Sequence, residues 1–572
     1  FDFYALFPYI KKMLFRNLKF LLILFTFLYH SSAFSKTVEN KDFNQRYLSN
    51  YFSAQVSHKN GDNDESIKYF ESTKSIFRNY PKYFDQYIES LVLNGDVRGA
   101  IKQVKFFGSK NHVKNFQTTL LFTIQALKNK NFDEANIQLV NMQMVLTPST
   151  YEQIIFQILK SFNQLFLNKQ ISEIENYGKL SKILSAFQYC YLGNDKANNY
   201  FTNLINLDSG DYSRYLFFYL SNLIDKNEYE LVKKISLKIE PISSTLLLIK
   251  SKEWIDELNF DKFSNIFSCK SENDILAELF FLISNLYSSQ EDFDASNFYL
   301  NISNYLNPKF KFNLSLISEN YYFAKKDKEL IKILKNFNEK DGIYYWYRIK
   351  KEFEILKEQE GKDASLVFLN SKTQDLKFKS AKVYFDLANI YKSYKKYYKS
   401  IENFNIALKK VEKESDSYAD ILYRRGGSYE RMGNYKKADE DLLLSLELNP
   451  DQPYVLNYLA YSWLERNIKI NQSMEMLLKA YEQRKDDPYI IDSVGWAYYL
   501  TEDYVSAEKY LKNALLIMPD DPVVNDHYGD VLWRMDMKLQ ARYYWNAALS
   551  SDEAEEELKQ SINNKLLFGL KG

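Results

Sequence analysis

Residues 488–521 read PYIIDSVGWAYYLTEDYVSAEKYLKNALLIMPDD, and residues 522–549 read PVVNDHYGDVLWRMDMKLQARYYWNAAL. Laid one over the other, the two stretches align without a gap. Gly495, Tyr498, Tyr504, Ala507, Leu511, Ala514 and Pro519 stand at fixed offsets in the first, and Gly529, Leu532, Ala541, Trp545 and Ala548 take the matching places in the second. Gly495 and Gly529 are 34 residues apart, as are Ala507 and Ala541. Asp487-Pro488 and Asp521-Pro522 each read as a helix start. Aspartate accepts the free amides of a first turn, and proline fits the first helical position, where no N–H bond is lost. A glycine inside a helix costs about 1 kcal/mol relative to alanine. A cost repeated at a fixed period predicts close helix–helix approach at Gly495 and Gly529, met by Ala507 and Ala541 from the facing helix. Tyr498, Leu511 and Trp545 then fill the space between, and Pro519 ends the second helix.

That period, with small residues where two helices cross, resembles the tetratricopeptide repeat. The resemblance implies an all-α fold, an α-solenoid of tandem helix-turn-helix repeats forming a right-handed superhelix. The frame extends upstream through Tyr384, Ala388, Tyr391, Tyr397, Ser400, Phe404 and Ala407, then Leu422, Gly426, Tyr429, Gly433, Tyr435, Ala438, Leu442 and Pro450, then Ala460, Trp463, Leu477 and Ala480. These define well-formed repeats over 371–552, and Glu553–Leu567 reads as a polar-faced helix within a capping segment over 553–572, which closes the exposed end of a solenoid. Residues 277–370 hold partly degenerate repeats, the clearest at Ala277–Pro308, and 36–240 hold degenerate ones marked by turns such as Asn60-Gly61-Asp62 and Asn94-Gly95-Asp96. Between them, 241–276 keeps no repeat frame. It reads as an irregular helical junction, with a break or hinge expected at Ile242–Lys270.

At 572 residues the chain is too long for one compact core. Lys plus Arg number 75 against 74 Asp plus Glu, and no basic stripe stands out, so nucleic acid is not favoured as a partner. The 47 Tyr and 42 Phe read as inter-helix packing residues. Cys190 and Cys269 fall in different repeats and do not make a disulfide scaffold, so they are expected not to pair.

Phe1–Lys12 precede Met13, where translation is expected to start, leaving residues 1–35 as an extension and signal peptide. Arg16 and Lys19 supply the positive region, Phe20–Tyr29 the apolar run, and Ala33-Phe34-Ser35 the small residues at a cleavage point after Ser35. The run falls short of the roughly 20 residues that span a bilayer. The expectation is export to the periplasm; left uncleaved, residues 14–29 would instead anchor the chain to the inner membrane.

The motifs of catalysis and of cofactor and metal binding are missing: no Gly-rich phosphate loop, no His-Glu-x-x-His, no Gly-x-Ser-x-Gly, no paired-Cys spacing. The chain therefore reads as no enzyme, with no cofactor and no metal. Asp292-Phe293-Asp294 and Asp439-Glu440-Asp441 lack a calcium loop's central Gly and final Glu. His527 stands beside Asp526 and Asp530 and reads as a helix-face histidine among solvated acids.

What remains is surface. In the family the first helix of each unit lines a concave groove whose outward positions touch bound peptides. The resemblance places Phe385 and Asn389, then Tyr423 and Arg431, then Asn457 and Tyr461, then Asp492 and Trp496, and finally Asp526, Asp530 and Arg534 along that groove. Some members hold a C-terminal carboxylate with a Lys, an Asn and further basic residues. Here Phe385 stands at that Lys position, and Asp492 and Asp526 stand there in later units. The implied ligand is a protein segment with apolar and basic side chains. The stretches Asn457–Trp463, Asp492–Tyr499 and Asn525–Asp530 also resemble exported repeat proteins of the Gram-negative envelope. That implies an interaction scaffold or, as the alternative, an accessory subunit of an envelope-assembly or polysaccharide complex.

Overall fold

The computed structural model describes residues 45–78, 80–108, 115–207, 213–374 and 376–570. The leader expected over residues 1–35, His30 and His112 fall outside them. Among the described residues the structure is thirty α-helices and short helical turns, with no strand. Packing divides the chain at Val113/Lys114 into two compact units.

The first unit holds α1 (Gln45–Lys59), α2 (Asn63–Ser72), α3 (Pro81–Leu93) and α4 (Val97–Gln103). Its centre is aromatic: Phe77 stacks on Tyr87 with ring centroids 5.0 Å apart.

The second unit begins with α5 (Phe116–Lys128), α6 (Phe132–Gln143), α7 (Thr150–Asn168), α8 (Lys179–Tyr191), α9 (Lys196–Ile205), α10 (Arg214–Asp225), α11 (Tyr229–Ser236), α12 (Leu246–Asp256) and α13 (Asp261–Ile266). It continues with α14 (Glu272–Ser288), α15 (Phe293–Leu306), α16 (Leu314–Phe323), α17 (Asp327–Leu334), α18 (Ile343–Glu360) and α19 (Lys362–Gln374). The best-formed hairpins follow: α20 (Ala381–Ser393) with α21 (Tyr397–Leu408), α22 (Asp416–Arg431) with α23 (Tyr435–Leu448), and α24 (Pro453–Glu465) with α25 (Ile470–Gln483). The last are α26 (Pro488–Leu500) with α27 (Tyr504–Ile517), α28 (Pro522–Arg534) with α29 (Lys538–Ser550), and α30 (Glu556–Phe568).

One local device recurs. The turn inside a hairpin holds a residue in the left-handed region: Glu291, Lys395, Gly433, Glu502 and Asp536 have φ between 55° and 72°. In three of these turns an Asp or Asn follows and caps the second helix. Asp292 accepts from the Ala295 amide, Asn434 from Lys437 and Asp503 from Ser506. At the other end of the unit, Asp487 accepts from the amides of Tyr489 and Ile490, and Asp521 from those of Val523 and Val524. Pro488 and Pro522 sit in the first turns. The glycines mark close approach. A Cβ on Gly529 would lie 2.5 Å from Trp545 and 3.2 Å from the Ala541 carbonyl. At Gly495 the opposing side chain is Leu511, whose Cγ would be 2.6 Å away.

Apolar residues within 241–276 pack against neighbours on both sides, Phe263 against Phe217 at 5.4 Å and Ile242 against the hairpin α20–α21 and α22. Ile242 enters a core formed by Ala381, Phe385, Ala388 and Ile421, and Glu240 accepts hydrogen bonds from the amide and hydroxyl of Ser417. Contrary to the expectation from repeat spacing, Cys190 and Cys269 are bonded, with Cα atoms 5.6 Å apart across 79 residues. The reason is tertiary. The short helices α11–α13 return the chain to the flank of α10, where Phe267 meets Phe218 at 4.6 Å, and Phe187 of α8 meets Phe218 at 5.2 Å. That aromatic cluster brings the two sulfurs together.

Candidate functional site

The residues expected along a groove fall on the first helices α20, α22, α24, α26 and α28, spaced one or two helical turns apart within each. Phe385 is not open: it is buried in one core cluster with Ile242. Asn389 spends its amide on the Phe385 carbonyl at 2.9 Å. Tyr423 is part-exposed and meets Tyr458 edge-on at 5.9 Å. Beside it a cavity of about 460 Å³ is lined by Ser243, Asp416, Asp420, Arg424 and Tyr454. Asn457 leaves Oδ1 buried without a hydrogen-bond partner. Tyr461 and Trp496 are part-exposed, and Arg431 and Arg534 are exposed. Trp496 donates from Nε1 to Glu465 at 3.0 Å and stacks on His527 at 4.1 Å and on Tyr499 at 4.6 Å.

The acids expected to meet a basic ligand are filled from within the chain. Asp492, Asp526 and Asp530 are all buried. Lys565 of α30 lies 2.7 Å from Asp526 and 2.8 Å from Asp530. His527 Nδ1 is 2.9 Å from Asp492, and Trp545 Nε1 donates to Asp530 at 2.9 Å. His527 is thus a buried ion-pair histidine rather than one among solvated acids. Burial opposes its charged form, but Asp492 first, then Asp526 and Asp530, outweigh that and raise its pKa. Three carboxylates share two cations, and burial, reinforced by Asp526 against the pull of Lys565, pushes Asp530 up to about 6. Among the described residues no cluster of three His, Cys, Asp or Glu could hold a metal ion.

Farther along the same face the balance of charge reverses. Lys392 at the end of α20, with Arg424 and Arg431 on α22, surrounds Gly427, and Tyr458 of α24 faces them. Burial first, then the two arginines, lower the Lys392 amine to about 8. Sequence reasoning passed over Lys392, Tyr458 and Lys565 because a single lysine or tyrosine on a helix carries no signal. The doubled Gly426-Gly427 was such a signal: one glycine packs on the partner helix, and at the other Lys392 and Tyr458 lie close over the backbone.

The family model of the tetratricopeptide repeat matches residues 419–452, which are α22, α23 and the turn that follows them. The chain carries tetratricopeptide repeats. A TPR repeat-containing protein of Pseudomonas aeruginosa is 33% identical over 111 residues, 19% of this chain and 19% of the relative. The match therefore spans about a fifth of that relative's length. Among solved structures, a thermophilic TPR protein of Thermus thermophilus is 19% identical and covers 33% of this chain and 100% of its own, with a TM-score of 0.29. PilF of Pseudomonas aeruginosa is 16% identical over 33% of this chain and 93% of its own, with a TM-score of 0.28. Tetratricopeptide repeats are protein-interaction scaffolds, in which stacked hairpins leave an extended inner surface for another chain.

Proposed function

We propose that this TPR protein is a non-catalytic scaffold of the bacterial cell envelope that holds a segment of a partner protein along the inner face of residues 381–550. The observation that carries this reading is the part-exposed run of Tyr423, Asn457, Tyr461 and Trp496 on successive first helices. It offers aromatic faces on which an extended chain can lie. Export is supported by the leader expected over residues 1–35 and by the Cys190–Cys269 bond, since disulfides persist in oxidising compartments. Among the described residues no helix is long and apolar enough to cross a membrane.

The test is site-specific photo-crosslinking in cells from position 461 and, as control, from position 543, where Tyr543 is 69% exposed on a second helix. The expected result is a discrete crosslinked partner in the envelope fraction from position 461 and none from 543. Identical products from both positions, or products confined to the cytoplasm, would overturn the proposal.

A further inference from the structure

We infer that the partner segment is acidic and that the inner face seats one of its carboxylate side chains in a notch formed by Lys392, Arg424, Arg431, Gly427 and Tyr458. The inference rests on the groove reading above and adds the chemistry of the ligand.

Gly427 is buried and has no side chain, so Lys392 and Tyr458 lie close over the α22 backbone and form the floor of the notch. A Cβ there would lie 2.6 Å from Lys392 Nζ and 3.2 Å from the Tyr458 hydroxyl. The space a side chain would fill is held instead by an ammonium group and a phenol. The same lysine lies 5.8 Å from the Tyr458 ring centroid.

The ion pairing around it is incomplete. Arg424 Nε reaches Asp420 at 3.3 Å, and Arg431 Nε reaches Glu430 at 3.6 Å. Glu430 also accepts from the Tyr458 hydroxyl at 3.0 Å. Lys392 has no carboxylate within ion-pair distance among the described residues. Arg424 and Arg431 thus each have a carboxylate within ion-pair distance, and the part-buried Lys392 does not. Leaving a buried charge unpaired is costly, whereas supplying its counter-ion regains charge-assisted hydrogen bonds. The chain shows the same preference at the rim: Glu555, just before α30, reaches back 160 residues to Lys395 at 2.9 Å, and its charge also bears on Arg431.

A side chain is favoured over a chain terminus or a free anion because the face continues on both sides of the notch. Tyr423 lies to one side and Tyr461 and Trp496 to the other, so a segment that places its carboxylate here can extend in both directions. Basic segments are disfavoured, because the acids that would take them already hold Lys565 and His527.

The experiment is fluorescence anisotropy on the full chain with a labelled, end-blocked hexaglutamate, beside hexaglutamine with a free carboxyl terminus and end-blocked hexalysine. Hexaglutamate is expected to bind, with affinity falling as salt rises, and the other two are not. Lys392→Gln is expected to weaken hexaglutamate at least about ten-fold, as for loss of one charge-assisted hydrogen bond, while Lys392→Arg retains most of the affinity. Thermal melting of Lys392→Gln checks that the hairpins remain folded, and it is expected to be unchanged or higher because an unpaired charge is removed. Equal binding of hexaglutamate by wild type and Lys392→Gln, no binding by wild type, or binding of the free-carboxyl hexaglutamine alone would overturn the inference. A partner still crosslinked from position 461 in that event would leave the groove reading standing.

Discussion

Gly529→Ala adds one methyl group at a position where helix propensity favours alanine. Propensity alone predicts a gain of about 1 kcal/mol. The structure predicts the opposite sign. The new Cβ would sit 2.5 Å from Cδ1 and Nε1 of Trp545, a fully buried ring. Overpacking a close-packed core costs about 1–3 kcal/mol. The ring cannot move without disturbing its 2.9 Å hydrogen bond to Asp530, and a buried acceptor left unmatched costs a further 1–3 kcal/mol or so. Asp530 also holds Lys565 of α30, so the disturbance reaches the last helix. The net loss is about 1–5 kcal/mol, localised to α28–α30. A repeat array need not unfold in one step, so the measurement is local: amide exchange across 522–568, and chymotrypsin cleavage at Leu566-Leu567-Phe568. In a Trp545→Leu background the same glycine substitution should cost less by at least about 1 kcal/mol, because the clash is gone. Unchanged protection of α30 in Gly529→Ala, or equal cost in both backgrounds, would refute this account of the packing.

Four further outcomes follow from the geometry. Folding holds a proton on Asp530 up to about pH 6 against an ordinary value of 3.8, so the folded state binds more protons in that window and stability falls as pH rises through it. His527, raised above 6.5, continues the loss at higher pH, so intrinsic-rate-corrected exchange should show α28–α30 better protected at pH 5.5 than at pH 8; the reverse order contradicts the assignment. Joining residues 79 apart destabilises the unfolded chain by about 4.5 kcal/mol in the chain-entropy estimate; Cys190→Ser with Cys269→Ser should lower the melting of residues 179–323, and dithiothreitol should do so only in the wild type. With its amine lowered to about 8, Lys392 should be among the first lysines acetylated by limiting reagent at pH 7.5, read by peptide mass mapping, and hexaglutamate should protect it. Glu502 occupies the left-handed region at φ 64°, which costs a non-glycine residue about 1–2 kcal/mol; Glu502→Gly should stabilise the α26–α27 hairpin by roughly half that after the entropy of glycine is counted, and a lower melting temperature would refute the strain argument.

Much of the molecule follows from local chemistry. The 34-residue spacing of Gly495 and Gly529, the caps at Asp487 and Asp521, and the apolar faces between them specify where each hairpin starts, turns and stops, because those signals act within one or two helical turns. The repeat period likewise placed Tyr423, Asn457, Tyr461 and Trp496 on successive first helices. Which of the groove residues are free could not be read that way. Phe385 is buried in one core cluster with Ile242, 143 positions upstream, and Asp526 and Asp530 are ion-paired to Lys565 of α30. The Cys190–Cys269 bond depends on the short helices that fold Phe267 back onto Phe218. Each of these is a pairing between segments distant in sequence, decided by how the hairpins stack. A charge pattern in one dimension names which ions are present. Only the packed chain determines which of them meet: it joins Lys565 to Asp526 and Asp530, and among the described residues it brings no carboxylate within ion-pair distance of Lys392.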